Sequence, residues 1–157
     1  MSTNSTPDNI NDNLSAQVDQ SELLDLLGYS VRRAYVVMQA HFDAQMEKLK
    51  LRQADFAVLS TLRRNPGINQ KALAEALAIA PPNLATLLDR LESCGLLARQ
   101  RSTDDKRIQL VSLTAQGTKL HAQALKAARK ADEVTLHRLS AKEQEQLRLL
   151  LSKVFLP

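Results

Sequence analysis

The sequence predicts a mainly α-helical protein that carries one small β-hairpin. Three observations lead to that expectation. Apolar residues fill 44% of the 157 positions but aromatics only 3%, so the core must be built from Leu, Ala, Val and Ile. That composition suits helices packed on helices. Apolar side chains recur every three or four positions through most of the chain. One stretch, "LARQRSTDDKRIQLVSLT", breaks the period: it crosses a cluster of charge and returns with Ile108, Leu110 and Ser112 alternating against Gln109, Val111 and Leu113.

Length allows one domain, or two small ones sharing a core. A single cysteine, Cys94, rules out an intramolecular disulfide and argues against a Cys-based zinc site. No apolar run approaches the ~20 residues of a membrane span. The first twenty residues lack the basic and apolar regions of a signal peptide, so a cytoplasmic location is expected. Those residues, rich in Asn, Ser, Asp and Gln, read as a flexible N-terminal arm over 1–20. They hold Asp8, Asp12 and Asp19 and no Lys or Arg, so the net charge of +4 leaves +7 on the remainder. A basic body of that kind suits a polyanionic partner.

The first helix should open at Ser21, an N-cap candidate backed by Glu22, and run to about Leu49. Leu24, Gly28, Val31, Tyr35, Met38, Phe42, Met46 and Leu49 form one stripe, and Leu23, Leu27, Ala34 and Val37 a second. A helix apolar on two faces needs more than one neighbour, and a second subunit is the natural one. "RQADFAVLSTLRRNPG" then gives a helix of about three turns, with Phe56, Leu59 and Leu62 inward, stopped by Asn65-Pro66-Gly67.

Two short helices follow. The first is capped by Asn69 and buries Leu73, Ala74 and Leu77; the second opens at Pro81-Pro82, buries Leu84, Leu87, Leu88 and Leu91, and ends at Gly95. The link "AIAP" is so short that the pair reads as a helix-turn-helix, with Pro82, Asn83, Thr86 and Arg90 on the outer face of its second helix. The hairpin follows without a linker, which makes it a wing: one strand to about Arg101, the turn "STDDK", and a return strand from Ile108 to Leu113. With the second helix in a major groove, the wing lies over the backbone beside the adjacent minor groove. Arg107 is the candidate for the groove, oriented by a charge-assisted bond from Asp105, with Asp104 free to cap the turn. Arg99 and Arg101 suit phosphate contact, and Asn69, Gln70, Lys71 and Lys106 complete the candidate DNA-binding set. Thr114 caps a long Ala-rich helix, and Ser140 with Glu143 has capping-box spacing for the last one, which carries Leu147, Leu150, Leu151 and Val154.

From "LLDRLESCGLL", "DDKRIQLVSLT" and "LTAQG", in that order, the sequence resembles the winged helix-turn-helix core of the MarR family of bacterial transcriptional regulators. The likeness runs from about Ser21 to the end. It implies residues 51–114 as the winged helix-turn-helix DNA-binding domain, with 21–50 and 115–157 as a helical dimerisation region. It also implies a homodimer on a near-palindromic operator in double-stranded DNA, usually a repressor released by a small ligand. Arg107 matches the family's wing arginine, and Pro82, Asn83 and Thr86 match its recognition-helix positions. Ala80 and Ala85-Thr86 depart from the frequent Ser cap and Thr-Arg, so the operator sequence does not transfer.

Regulators that resemble this one often hold phenolic or aromatic carboxylate effectors between the dimer platform and the DNA-binding lobe. Tyr29, Arg32, Arg33, Tyr35 and His41 are the ligand candidates, since an arginine fork facing an apolar cleft pairs with both carboxylate oxygens. No cofactor or metal site is expected: His41, His121 and His137 lie far apart, no H-E-x-x-H or G-x-S-x-G occurs, and four glycines make no phosphate loop. An enzyme is not expected. The alternative is a helical protein-interaction scaffold that does not bind DNA.

Overall fold

The computed structural model describes residues 19–155, so the expected arm lies outside the described residues except for Asp19 and Gln20. By its contacts the chain divides into two compact units, residues 1–35 and 36–157.

In the first unit the expected long helix is broken. A short helix α1 (Ser21–Leu24) precedes α2 (Leu27–Glu47). The break lies at Asp25-Leu26, where Leu26 N–H turns back to Leu23 O and the Ser30 hydroxyl takes Leu24 O at 3.1 Å. A serine side chain competing for a main-chain carbonyl, two residues after Gly28, favours interruption over continuation. Ser21 is not the cap: the Asp19 carboxylate accepts the Ser21 N–H at 2.9 Å.

The second unit holds the rest of α2, then α3 (Gln53–Arg64), β1 (Ile68–Asn69), α4 (Gln70–Leu77), α5 (Pro81–Ser93), β2 (Leu97–Arg101), β3 (Gln109–Leu113), α6 (Ala115–Thr135) and α7 (Ala141–Phe155). The expected hairpin is a three-stranded antiparallel sheet in the order β1-β3-β2. The extra strand pairs Ile68 with Val111 and Asn69 with Leu110. In the hairpin, Leu97 faces Leu113 and Arg101 faces Gln109.

The core lies between α3, α4, α5 and the sheet. Val58, Leu59, Leu62, Leu73, Leu84, Leu88, Leu91, Leu97 and Val111 are sealed from solvent, and α6 adds Ala124. Phe56 sits at the margin, edge-on to Phe42 and stacked on the His121 ring at 6.1 Å. Three helix ends close in the same way. The residue in the left-handed region donates to the third carbonyl before it, and the next residue's N–H reaches back five, as in Leu51 to Met46, Ile79 to Ala74 and Leu96 to Leu91. Glycine fills this position at Gly95, whereas Lys50 and Ala78 hold it at φ 54° and 50°. The expected caps are present: Asn69 Oδ1 accepts from Ala72 N, the Thr114 hydroxyl from Gly117 N, and Ser140 with Glu143 forms its box. No described helix is long and apolar enough to cross a membrane.

Candidate nucleic-acid interface

The second helix of the helix-turn-helix, α5, starts where Pro81 and Pro82 supply a preset φ without leaving a helical bond unmade. Leu84, Leu88 and Leu91 turn one face into the core, which leaves Pro82, Asn83 and Thr86 exposed on the other. The turn before it is set by Ala78, and α4 is anchored by its buried middle residues, Leu73 and Ala74. Thr86 directs its hydroxyl proton to Pro82 O at 3.2 Å, so its oxygen lone pairs and methyl face outward.

The wing tip is ordered by its own side chains. The Ser102 hydroxyl accepts from the Asp104 and Asp105 N–H groups, so Ser102 rather than Asp104 caps the turn. Asp105 grips Arg107 three times: from the Arg107 N–H at 2.9 Å, from Nε at 3.0 Å and from Nη2 at 2.9 Å. Its carboxyl is held below the usual carboxylate range by those side-chain and main-chain bonds. The Arg107 side chain is nonetheless 90% exposed, a charge fixed in direction but open to a partner. An open cleft of about 420 Å³ separates Asn69, Gln70 and Lys71 from Arg107, Ile108 and Gln109, so the start of α4 and the wing share one basic rim. Lys106 and Arg101 are exposed beside it.

Two of the expected contact residues pair with acids of this chain. Arg99 forks onto the Glu92 carboxylate (Nε at 2.8 Å) and reaches Asp89 at 2.6 Å, and its side chain is only 21% exposed. The Arg99 bond holds the Glu92 carboxyl below its ordinary value, and the carboxylates in turn raise the guanidinium. Arg99 thus pins β2 to α5. Arg90 pairs with Asp55 of α3, which is fully buried. In both cases an acidic partner within reach satisfies the guanidinium within the chain itself.

A sequence profile described as MarR family matches residues 51–109, which span α3 to the start of β3. HosA, a transcriptional regulator of Escherichia coli O127:H6, is 40% identical over 110 residues, 70% of this chain and 82% of its own. The chain belongs to the MarR family. It is a DNA-binding transcriptional regulator of mainly helical, winged-helix fold, as the likeness to solved MarR-family structures also requires. The transcriptional repressor CouR, solved on a 23-mer DNA duplex, superposes with a TM-score of 0.84 at 33% identity, over 88% of this chain and 99% of its own. Bordetella bronchiseptica BpsR, whose DNA binding is regulated by 6-hydroxynicotinic acid, gives 0.78 at 28% identity over 85% of this chain and 96% of its own. These relatives are regulators, not enzymes.

In this MarR-family chain the ligand candidates are only partly assembled. Tyr29 and Arg33 meet as their four-residue spacing requires: Arg33 Nη1 donates to Tyr29 Oη at 3.4 Å, and both donate to Gln20 Oε1, at 3.0 and 3.2 Å. Arg32 and Tyr35 are exposed in the same unit, and His41 is exposed in the other. The residues that sequence reasoning missed are Asp55, Asp89 and Glu92, the acids that hold Arg90 and Arg99. Glu92 and Arg99 are near enough in sequence for the pair to be guessed, but Asp55 and Arg90 stand 35 residues apart and carry no local signal.

Proposed function

We propose that this regulator works in the cytoplasm as a homodimeric repressor on a near-palindromic operator, released by a small anionic aromatic effector. The observation that carries the reading is the pairing of an outward α5 face (Pro82, Asn83, Thr86) with an exposed, Asp105-steered Arg107 on the adjoining wing. That spacing lets a helix enter a major groove while an arginine probes the next minor groove. Asn69, Gln70, Lys71, Arg101 and Lys106 then serve the backbone.

Dimerisation is supported by apolar side chains no single chain has reason to expose: Leu23, Leu26 and Leu27 before and within α2, and Leu149, Val154 and Phe155 on α7. The effector class is supported by the Tyr29–Arg33 pair, a phenol beside a guanidinium, and by the aromatic acid that regulates BpsR. A gel shift with the promoter region of the gene itself tests both parts. Retardation that weakens steeply with salt is expected, followed by release on adding benzoate-type acids. No retardation at modest ionic strength overturns the DNA reading; no release across a broad acid panel overturns the effector class.

A further inference from the structure

Arg90 lies on the outward side of the recognition helix, one turn beyond Thr86, yet it is directed at α3. Its partner Asp55 is fully buried and does two things at once. Oδ2 accepts the Arg52 N–H at 2.8 Å, which closes the first turn of α3, while Oδ1 receives the Arg90 guanidinium. The helix behind Asp55 is firmly anchored, with Val58 and Leu59 at 0% exposure and Leu62 at 1%. Asn83 and Thr86 line the same cleft as Arg52, Asp55 and Arg90. The reading helix is therefore cross-tied from its last turn to a rigid support, and the tie comes from a residue outside the DNA surface.

We propose that the Asp55–Arg90 pair is a positioning device that sets the rotation of α5, so that Asp55 determines operator discrimination without touching DNA. The helix already has apolar anchors, but Leu84, Leu88 and Leu91 lie on a single stripe and tolerate a small roll. An ion pair to a buried carboxylate whose other oxygen is already fixed by the Arg52 N–H does not, because its geometry is directional. A roll of α5 displaces Asn83 and Thr86 from base edges while leaving the charges that hold the backbone in place. The inference rests on the DNA-binding reading above.

The test compares the full-length wild type with Asp55→Asn, Arg90→Ala, Arg90→Lys and the Asp55→Asn/Arg90→Ala double variant, each first checked for folding by circular dichroism. Binding is measured to the operator and to a scrambled duplex across a salt series. The proposal expects Asp55→Asn and Arg90→Ala each to lose about tenfold or more in operator affinity. It also expects unchanged scrambled-duplex affinity and salt slope, a double variant no worse than either single, and an intermediate Arg90→Lys. A salt slope reduced by about one charge in Arg90→Ala places Arg90 on a phosphate and overturns the proposal. Operator affinity unchanged in folded Asp55→Asn overturns it too, since a purely supporting pair shifts the melting temperature and not discrimination. Where Arg90→Ala fails to fold, Arg90→Lys and Asp55→Asn decide by the same criteria. A wild type that ignores every duplex defeats the DNA reading itself, an outcome distinct from these.

Discussion

Arg107 and Asp105 were legible in the sequence because a D-x-R pair closes on itself within one turn, and the structure places three hydrogen bonds there. The ion pairs of Arg90 and Arg99 were not legible there, because their acids come from other elements. Substituting Arg107 by alanine should weaken operator binding by about 1–3 kcal/mol, the range for a good groove contact. It should also lower the salt slope; an unchanged affinity in a quantitative gel shift would show that the wing does not reach DNA. His121 supports a different expectation. The residue is 8% exposed with its ring stacked on Phe56, and burial, with Arg63 nearby, pushes its pKa below the ordinary histidine value. The folded protein therefore binds this proton less readily than the unfolded chain does. Stability from this group is complete above about pH 6.5 and declines as pH falls through the unfolded and then the folded pKa. His121→Phe, which keeps the stack but cannot titrate, should flatten the melting temperature between about pH 7.5 and 5; an equally steep fall in the variant would assign that loss to other groups.

Helices were readable from the apolar period and their starts from cap chemistry, since Asn69, Thr114 and Ser140 act locally. What escaped was whatever lacked a period or a signature residue. β1 is two residues long, and the left-handed positions at Lys50 and Ala78 carry no glycine to mark them. The break before α2 lies inside a stripe that reads as continuous. The junction of β2 with α6 shows how closely these elements are fitted. A Cβ at Gly117 would lie 1.9 Å from the Leu96 carbonyl oxygen, and that same carbonyl accepts the Thr114 N–H at 3.1 Å. Thr114 also directs its hydroxyl to Gly95 O at 2.6 Å. Since backbone cannot swing aside as a side chain can, Gly117→Ala should destabilise the fold by at least about 2 kcal/mol, well beyond the ~1 kcal/mol expected from losing the cap in Thr114→Ala. Denaturant midpoints for the two variants decide this, and a Gly117→Ala protein as stable as wild type would mean the α6–β2 spacing is loose.

The described residues expose more apolar surface than one chain explains, notably Leu149, Leu150, Val154 and Phe155 on a helix with no buried residue among them. A solution mass of twice the 17.4 kDa chain is expected, with a footprint of two half-sites about one helical turn, roughly 10 base pairs, apart. Leu150→Glu combined with Val154→Glu should give a monomer by light scattering and lose that footprint; a dimer in spite of both charges would place the contact elsewhere. One edge of the sheet is partly covered. Val111 O is taken by Gly67 on one side of β3, and on the outer side of β2 the Arg99 N–H, which alternation turns away from β3, is met by Glu92 Oε1 at 3.1 Å. A carboxylate laid across an edge strand repels an incoming backbone that needs that donor. Strand-by-strand accretion is thereby disfavoured at the wing, where a paired edge would cost Glu92 its bond to the backbone.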